Sequence, residues 1–231
     1  MKVVILAAGK GTRMLPLTEK VPKVLVEINS KPFLYYLLKS LQMAGYNEFG
    51  IVVGYMKEKV ALFLQQYHFK ATLLEQKGQK GTGDALVQAH NFVGKEDFVM
   101  VQGDNLWSVD DLKIFQKKDA YHYICGVQVE NPQKYGVLIT QNHFLQEIKE
   151  KPKEFVGNVI NTGLFKFKAD IFVALRHIKL SPRGELELTD AVSLLAKEGK
   201  VKVQKAQWWL DLGCLEDIPA VSKFLQENWK E

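Results

Sequence analysis

Val3-Val4-Ile5-Leu6 carries no polar side chain and passes at once into Ala7-Ala8-Gly9-Lys10-Gly11-Thr12-Arg13. A short β-branched run of this kind reads as a central parallel strand, buried on both faces, and it points to an α/β layer architecture. The glycines that follow let consecutive backbone N–H groups turn toward a ligand and form an anion-binding concavity. Taken alone, a glycine turn after a strand is as often structural. The Walker A spacing GxxxxGK[ST] is absent, and the third glycine of GxGxxG is replaced by Met14. The loop also runs on through Pro16 and Pro22 rather than opening a helix, unlike a dinucleotide site.

Beyond the loop the elements alternate. The spacing predicts a helix over Phe33–Met43, with Ser30 as its N-cap, Pro32 in its first turn and Gly45 ending it. Strand Phe49–Val53, helix Lys57–Tyr67, strand Ala71–Glu75, helix Gly83–Phe92 and strand Asp97–Val101 follow, the last running into Gly103-Asp104. Such alternation implies a doubly wound, mostly parallel sheet of Rossmann-like type. After about Asp119 the rhythm changes to strands at Tyr121–Val129, Val137–Thr140, Phe144–Lys149 and Ile160–Phe167, which implies antiparallel additions continuous with the first half. Helix Leu188–Lys197, strand Val201–Lys205 and an amphipathic helix over Glu216–Trp229 close the chain. With no repeat, linker or composition break, one domain is expected, residues 1–119 forming one half and 120–231 the other.

Composition narrows the class further. The 231 residues are 47% hydrophobic and 25% charged, with a formal charge of +5, the balance of an ordinary globular protein. Basic residues alternate with acidic ones and no long like-charge run occurs, so the excess reads as a solvated surface rather than a nucleic-acid face. Cys125 and Cys214 form no CxxC pair or Cys/His cluster, which leaves them as buried free thiols in a reducing compartment. The N-terminal apolar run is too short for a signal-peptide core, and no stretch approaches membrane-spanning length. A cytoplasmic location without a membrane partner is expected, and self-association is left open. Phe224 and Trp229 are assigned to the core rather than to an interface.

Gly9-Lys10-Gly11-Thr12-Arg13-Met14-Leu15-Pro16-Leu17-Thr18 with Pro22-Lys23 resembles the GxGTRxxPLTxxxPK signature of the sugar-phosphate nucleotidyltransferases. The likeness continues from Val3 to about Ile218. It includes Gln76-Lys77-Gly78-Gln79-Lys80-Gly81-Thr82-Gly83, Gly103-Asp104, Tyr135-Gly136-Val137 and Glu150-Lys151-Pro152. Asn161-Thr162-Gly163, Gly184–Asp190 and Trp209-Leu210-Asp211-Leu212-Gly213 complete it. The resemblance implies the family's mixed α/β fold and transfer of a nucleotidyl group from a nucleoside triphosphate to a sugar 1-phosphate, with release of pyrophosphate. It implies that Leu6, Ala7, Ala8, Gly9, Gly11, Thr12, Gln76, Gly81, Thr82 and Gly103 bind the nucleotide. Arg13, Lys23 and Lys151 would be catalytic, and Tyr135, Gly136, Glu150, Asn161 and Thr162 would bind the sugar phosphate. Asp104 and Asp211 would hold Mg²⁺. For Gly184–Asp190 a place near the sugar and a plain helix-start role stand level.

A sugar 1-phosphate is already an ionised nucleophile, so the reaction needs no general base, and the five histidines are assigned no role. UTP or dTTP is the expected nucleotide and glucose 1-phosphate or N-acetylglucosamine 1-phosphate the expected acceptor; the Gln76 amide, readable from either end, does not exclude cytosine. The alternatives are a cytidylyltransferase acting on phosphocholine or a related alcohol, and a non-catalytic nucleotide-sugar-binding subunit. A dinucleotide-dependent dehydrogenase is disfavoured by the missing glycine.

Overall fold

The computed structural model describes residues 1–229. Strand β1 (Lys2–Leu6) leads through short 3-10 turns to the hairpin β2 (Glu27–Ile28) and β3 (Lys31–Pro32). Then come α1 (Phe33–Met43), β4 (Phe49–Val53), α2 (Lys57–Gln66), β5 (Thr72–Glu75), α3 (Thr82–Val87), α4 (His90–Val93) and β6 (Phe98–Gln102). The second half contains β7 (Asn105–Trp107), α5 (Val109–Ile114), β8 (His122–Gln128), β9 (Gly136–Gln141), β10 (Phe144–Glu150) and β11 (Val159–Phe167). It ends with α6 (Ile171–Leu175), α7 (Leu188–Lys197), β12 (Val201–Lys205), β13 (Trp209–Asp211) and α8 (Ile218–Asn228).

Strands of both halves join one nine-stranded sheet in the order β5-β4-β1-β6-β11-β8-β12-β10-β9. The four from the first half run parallel. Strand β11 enters antiparallel between β6 and β8, and β10 pairs antiparallel with both β12 and β9. This is the mixed sheet expected from the change of rhythm. Side chains alternate across it: Val3, Ile5 and Ala7 enter a core closed by α1, α2, α5 and α8. Val4, Leu6 and Ala8 face α3, α4, α6 and α7. Burial on both faces is why Val3–Leu6 of β1 carries no polar side chain.

Local expectations differ at a few points. Ser30 does not cap α1; it sits at φ 66 in the β2–β3 turn, and Pro32 takes the cap position. That helix is held by its buried face, on which Phe33, Leu34, Leu37, Leu38 and Leu41 are fully enclosed. Gly45 ends it as expected, at φ 93 with its N–H on the Gln42 carbonyl. The single helix expected over Gly83–Phe92 is two, because the chain tightens at Gln88 and Ala89 into bonds to Ala85 and Leu86 three residues back. The tightened turn keeps Ala89 and Val93 inside the core. The last helix begins at Ile218, after a 3-10 turn over Leu215–Asp217. Cys125 is buried but Cys214 is half-exposed, and both are free. Phe224 and Trp229 are half-buried, packed on Trp208 at 4.8 Å and Tyr36 at 5.1 Å. No helix of the described residues is long and apolar enough to cross a membrane.

Candidate active site

The crevice opens at the carboxyl ends of the parallel strands, where ligands collect in open α/β sheets. The glycine loop is tied down there from several directions. Gly11 adopts φ 64, and a Cβ on it would lie 2.8 Å from the Lys23 Cβ, so the loop rests directly on that lysine. The Thr18 hydroxyl donates to the Gly11 carbonyl at 2.9 Å, and the Tyr55 hydroxyl in turn donates to the Thr18 carbonyl at 3.1 Å.

A first cavity of about 210 Å³ is lined by Leu6, Ala8, Gly9, Gln76, Gly81 and Thr82, with Glu185 and Gln102 at its edge. The buried Gln76 amide nitrogen donates to the Asp84 carboxylate at 2.8 Å and to the Gly81 carbonyl at 3.1 Å. Both partners are acceptors, so the NH₂ must face them and the Gln76 carbonyl oxygen is left to accept from a ligand. Gly81, at φ 95, is pressed against the Gly184–Leu188 segment, where a Cβ would come 2.5 Å from the Leu186 carbonyl oxygen. Leu186 donates to Lys80 and accepts from Gly83, and Leu188 donates to the Thr82 hydroxyl. The Gly184–Asp190 motif therefore braces the loop of the first cavity.

A second cavity of about 290 Å³ collects Arg13, Asp104, Tyr135, Gly136, Glu150, Lys151, Asn161, Thr162 and Asp211. The β9–β10 ladder sets Gly136 opposite Glu150, and the Lys151 N–H closes it on the Tyr135 carbonyl at 3.0 Å. The Tyr135 ring stands edge-on to Trp209 at 5.5 Å. Burial first, then the nearby Asp211, pushes its phenol above the usual range.

Two carboxylates converge in the second cavity. Asp104 lies just past β6, and its oxygens accept from the Lys23 ammonium at 2.5 Å and the Asn105 amide at 2.8 Å. Asp211 comes from β13, which pairs with β7 so that Asp211 stands opposite Asn105. Asn105 locks the ladder by accepting from the Trp209 indole at 2.6 Å, and Leu212 donates to the Asp104 carbonyl. Asp211 is pushed up to about 7, by burial first and then by the charge of Asp104; Lys23 and Arg13 oppose the rise. A divalent cation would relieve that repulsion. Among the described residues no third His, Cys, Asp or Glu completes a protein-only metal centre. A pair of carboxylates with remaining positions for phosphate and water fits a magnesium-type ion.

Several residues named from the resemblance either do not line the cavities or bring no free side-chain group to them. Ala7 points into the opposite core and its N–H is committed to the Val52 carbonyl, a consequence of strand alternation running past Leu6. Gly11 and Gly103 shape the loops from behind, and Thr12 lies in an exposed 3-10 turn. Lys23 reaches the site through Asp104. The Thr162 hydroxyl is spent inside the protein, accepting from Trp107 and donating to the Cys125 carbonyl, which leaves the buried residue no side-chain group for a sugar. Conversely, Gln102, Gln79, Asn105, Lys134 and Glu185 line the cavities. The one available signal was their position inside or beside the motifs.

The fold and this crevice define an α/β class with its ligand crevice at the carboxyl ends of the parallel strands, and the comparisons give the family. The nucleotidyl transferase model matches residues 2–228, and the chain belongs to that family. It is 39% identical over 232 residues to the bifunctional protein GlmU of Methanocaldococcus jannaschii, covering 99% of this chain and 55% of that protein. The chain thus spans about half the length of that relative. It is 34% identical over 241 residues to the UTP–glucose-1-phosphate uridylyltransferase AglF of Haloferax volcanii, covering 99% and 98%. A Bacillus anthracis structure assigned as a glucose-1-phosphate thymidylyltransferase, crystallised with sucrose, superposes with TM-score 0.89 at 28% identity over 100% of this chain and 98% of that one. A UDP-glucose pyrophosphorylase bound to UDP-glucose shares the fold, with TM-score 0.84 at 24% identity over 98% of both chains.

Proposed function

We propose that this enzyme joins a uracil or thymine nucleoside triphosphate to a sugar 1-phosphate, glucose 1-phosphate or N-acetylglucosamine 1-phosphate, releasing pyrophosphate. The observation that carries this is the meeting of Lys23, Asp104 and Asp211 at the second cavity, beside Glu150 and Lys151, with the glycine loop and Gln76 lining a first cavity that shares Gln102 with it. The base follows from the fixed Gln76 amide. Its carbonyl oxygen accepts from the N3–H that uracil and thymine carry, whereas cytosine presents an acceptor there. The names of AglF and of the Bacillus anthracis protein agree with those bases and with glucose 1-phosphate.

Positioning and charge neutralisation are the chemistry on offer. Amides of the Gly9–Gly11 loop and the Arg13 guanidinium hold the triphosphate and the departing pyrophosphate. Lys151, at the mouth of the second cavity, draws in the sugar phosphate for in-line attack on the α-phosphorus. Glu150 accepts from sugar hydroxyls, and Tyr135 packs beside them. Lys23 leaves Asp104 for the α-phosphate when substrate enters. Asp104 and Asp211 would hold Mg²⁺, which supplies further neutralisation of phosphate charge when bound. The sugar phosphate is already ionised, so no residue need act as base.

Pyrophosphate release, scanned over UTP, dTTP and CTP against the two sugar phosphates and phosphocholine, tests this reading. Release is expected only with UTP or dTTP and a sugar 1-phosphate. Release with CTP and phosphocholine alone, or none in any combination, contradicts it.

A further inference from the structure

Gln102 is the last residue of β6 and the one polar side chain in Phe98–Gln102. Its stem is clamped. The β11–β8 pairing shifts register between Asn161 and Phe165, and this bulge lifts Gly163, at φ 81, against it. A Cβ on Gly163 would lie 2.5 Å from the Gln102 Cγ, so the stem runs over bare backbone. Its carboxamide makes no hydrogen bond within the described residues, although the residue is half-buried.

That free amide lines the first cavity and the second. It also lines a third, which adjoins Glu150 and Thr82 and extends toward Arg183. Other polar groups nearby are committed: the Gln76 NH₂ to Asp84, the Thr162 hydroxyl to Trp107 and Cys125. Two of the three cavities are shared with Glu150, which as a carboxylate only accepts, whereas a carboxamide also donates. A half-buried amide with a fixed stem and no protein partner loses little freedom on binding and is costly to leave unpaired.

We propose that Gln102 is a specificity-determining residue whose carboxamide hydrogen-bonds one substituent of the sugar ring, at the seam between sugar and nucleotide. The inference rests on the reading that a sugar 1-phosphate is the acceptor.

The test compares kcat/KM of the wild type, Gln102→Met and Gln102→Glu for the preferred sugar 1-phosphate and its monodeoxy and acetamido analogues. Methionine keeps the unbranched stem against Gly163 and removes the hydrogen bonds; glutamate keeps the shape and removes the donor. Thermal midpoints show that each variant is folded, and calorimetry follows binding of the nucleoside triphosphate alone. In the wild type, one ring position is expected to matter by about a hundredfold or more, as in sites built to bond a substrate hydroxyl. Gln102→Met should bring the parent sugar down to the level of that one analogue, leave the analogue unchanged and leave triphosphate binding intact. Equal loss for every sugar, no loss, or a parallel loss of triphosphate binding would overturn the proposal while leaving the activity in place. Absence of turnover with any sugar phosphate by the wild type would overturn the reading of function and this inference together.

Discussion

Lys23 and Asp104 stand 81 residues apart in the chain and 2.5 Å apart in space, each largely withdrawn from solvent. The lysine opens a 3-10 turn beneath the glycine loop, and the aspartate follows the last residue of β6. Each charge is therefore already partnered in the free protein, which lowers the penalty of holding it in the crevice.

Replacing Lys23 with methionine removes a cation from the transition state and leaves Asp104 unopposed. A loss on the order of a hundredfold in kcat is expected. Because Lys23 also holds Asp211 down, the acid limb of the kcat/KM pH profile should move to higher pH in the variant. A loss of rate with an unmoved limb would separate Lys23 from the carboxylate pair.

Asp211 makes the free protein pH-sensitive. Its carboxyl sits near 7 when folded against an ordinary 3.8, so between those values the folded state holds a proton that the unfolded chain has lost. Stability from this group is present at low pH and is lost as pH rises through about 7. Without divalent ions, Asp211→Asn should exceed the wild type in urea midpoint at pH 8, with the gain vanishing near pH 4. Mg²⁺ should stabilise the wild type at pH 8, less at pH 6, and the variant hardly at all.

His122 works in the opposite sense. Lys168 N–H donates to its Nδ1 at 3.3 Å, so the ring proton is on Nε2, 3.0 Å from the Asp170 carboxylate. Burial, against the pull of Asp170, drives the imidazole down to about 4 from 6.5. The unfolded chain takes up that proton first, so stability falls as pH drops from 6.5 toward 4. His122→Gln should flatten the acid side of the urea-midpoint curve without changing catalysis at pH 8.

Gly81 offers a backbone test. Alanine there would adopt a positive φ and drive a Cβ into the Leu186 carbonyl, costing on the order of 1–3 kcal/mol. The relief is movement of the Gln76 loop, so the KM for the nucleotide should rise more than that for the sugar phosphate.

Much of this was legible because buried strands and glycine turns have local signatures. Val3–Leu6 announced its place, and the motifs around Gly11, Gly81, Asp104 and Glu150 fall on cavity walls or directly behind them. The pairing that delivers Asp211 to Asp104 was not legible, since β7 and β13 are too short to show a period and meet only through tertiary packing. The Gln76 orientation depends on Asp84, eight residues away in the next helix. The place of the Ala7 side chain in the core had its signal present: period two sets it opposite Leu6 and Ala8.

The central claim, attack of a sugar phosphate on the α-phosphorus, is tested most directly by following label from UTP carrying ³²P at the α or the β,γ positions, with glucose 1-phosphate and Mg²⁺. The α label should appear in a sugar nucleotide and the β,γ label in pyrophosphate, both requiring the sugar phosphate and both lost in Asp104→Asn. Label recovered as free nucleoside monophosphate, or UTP bound without turnover, would contradict it.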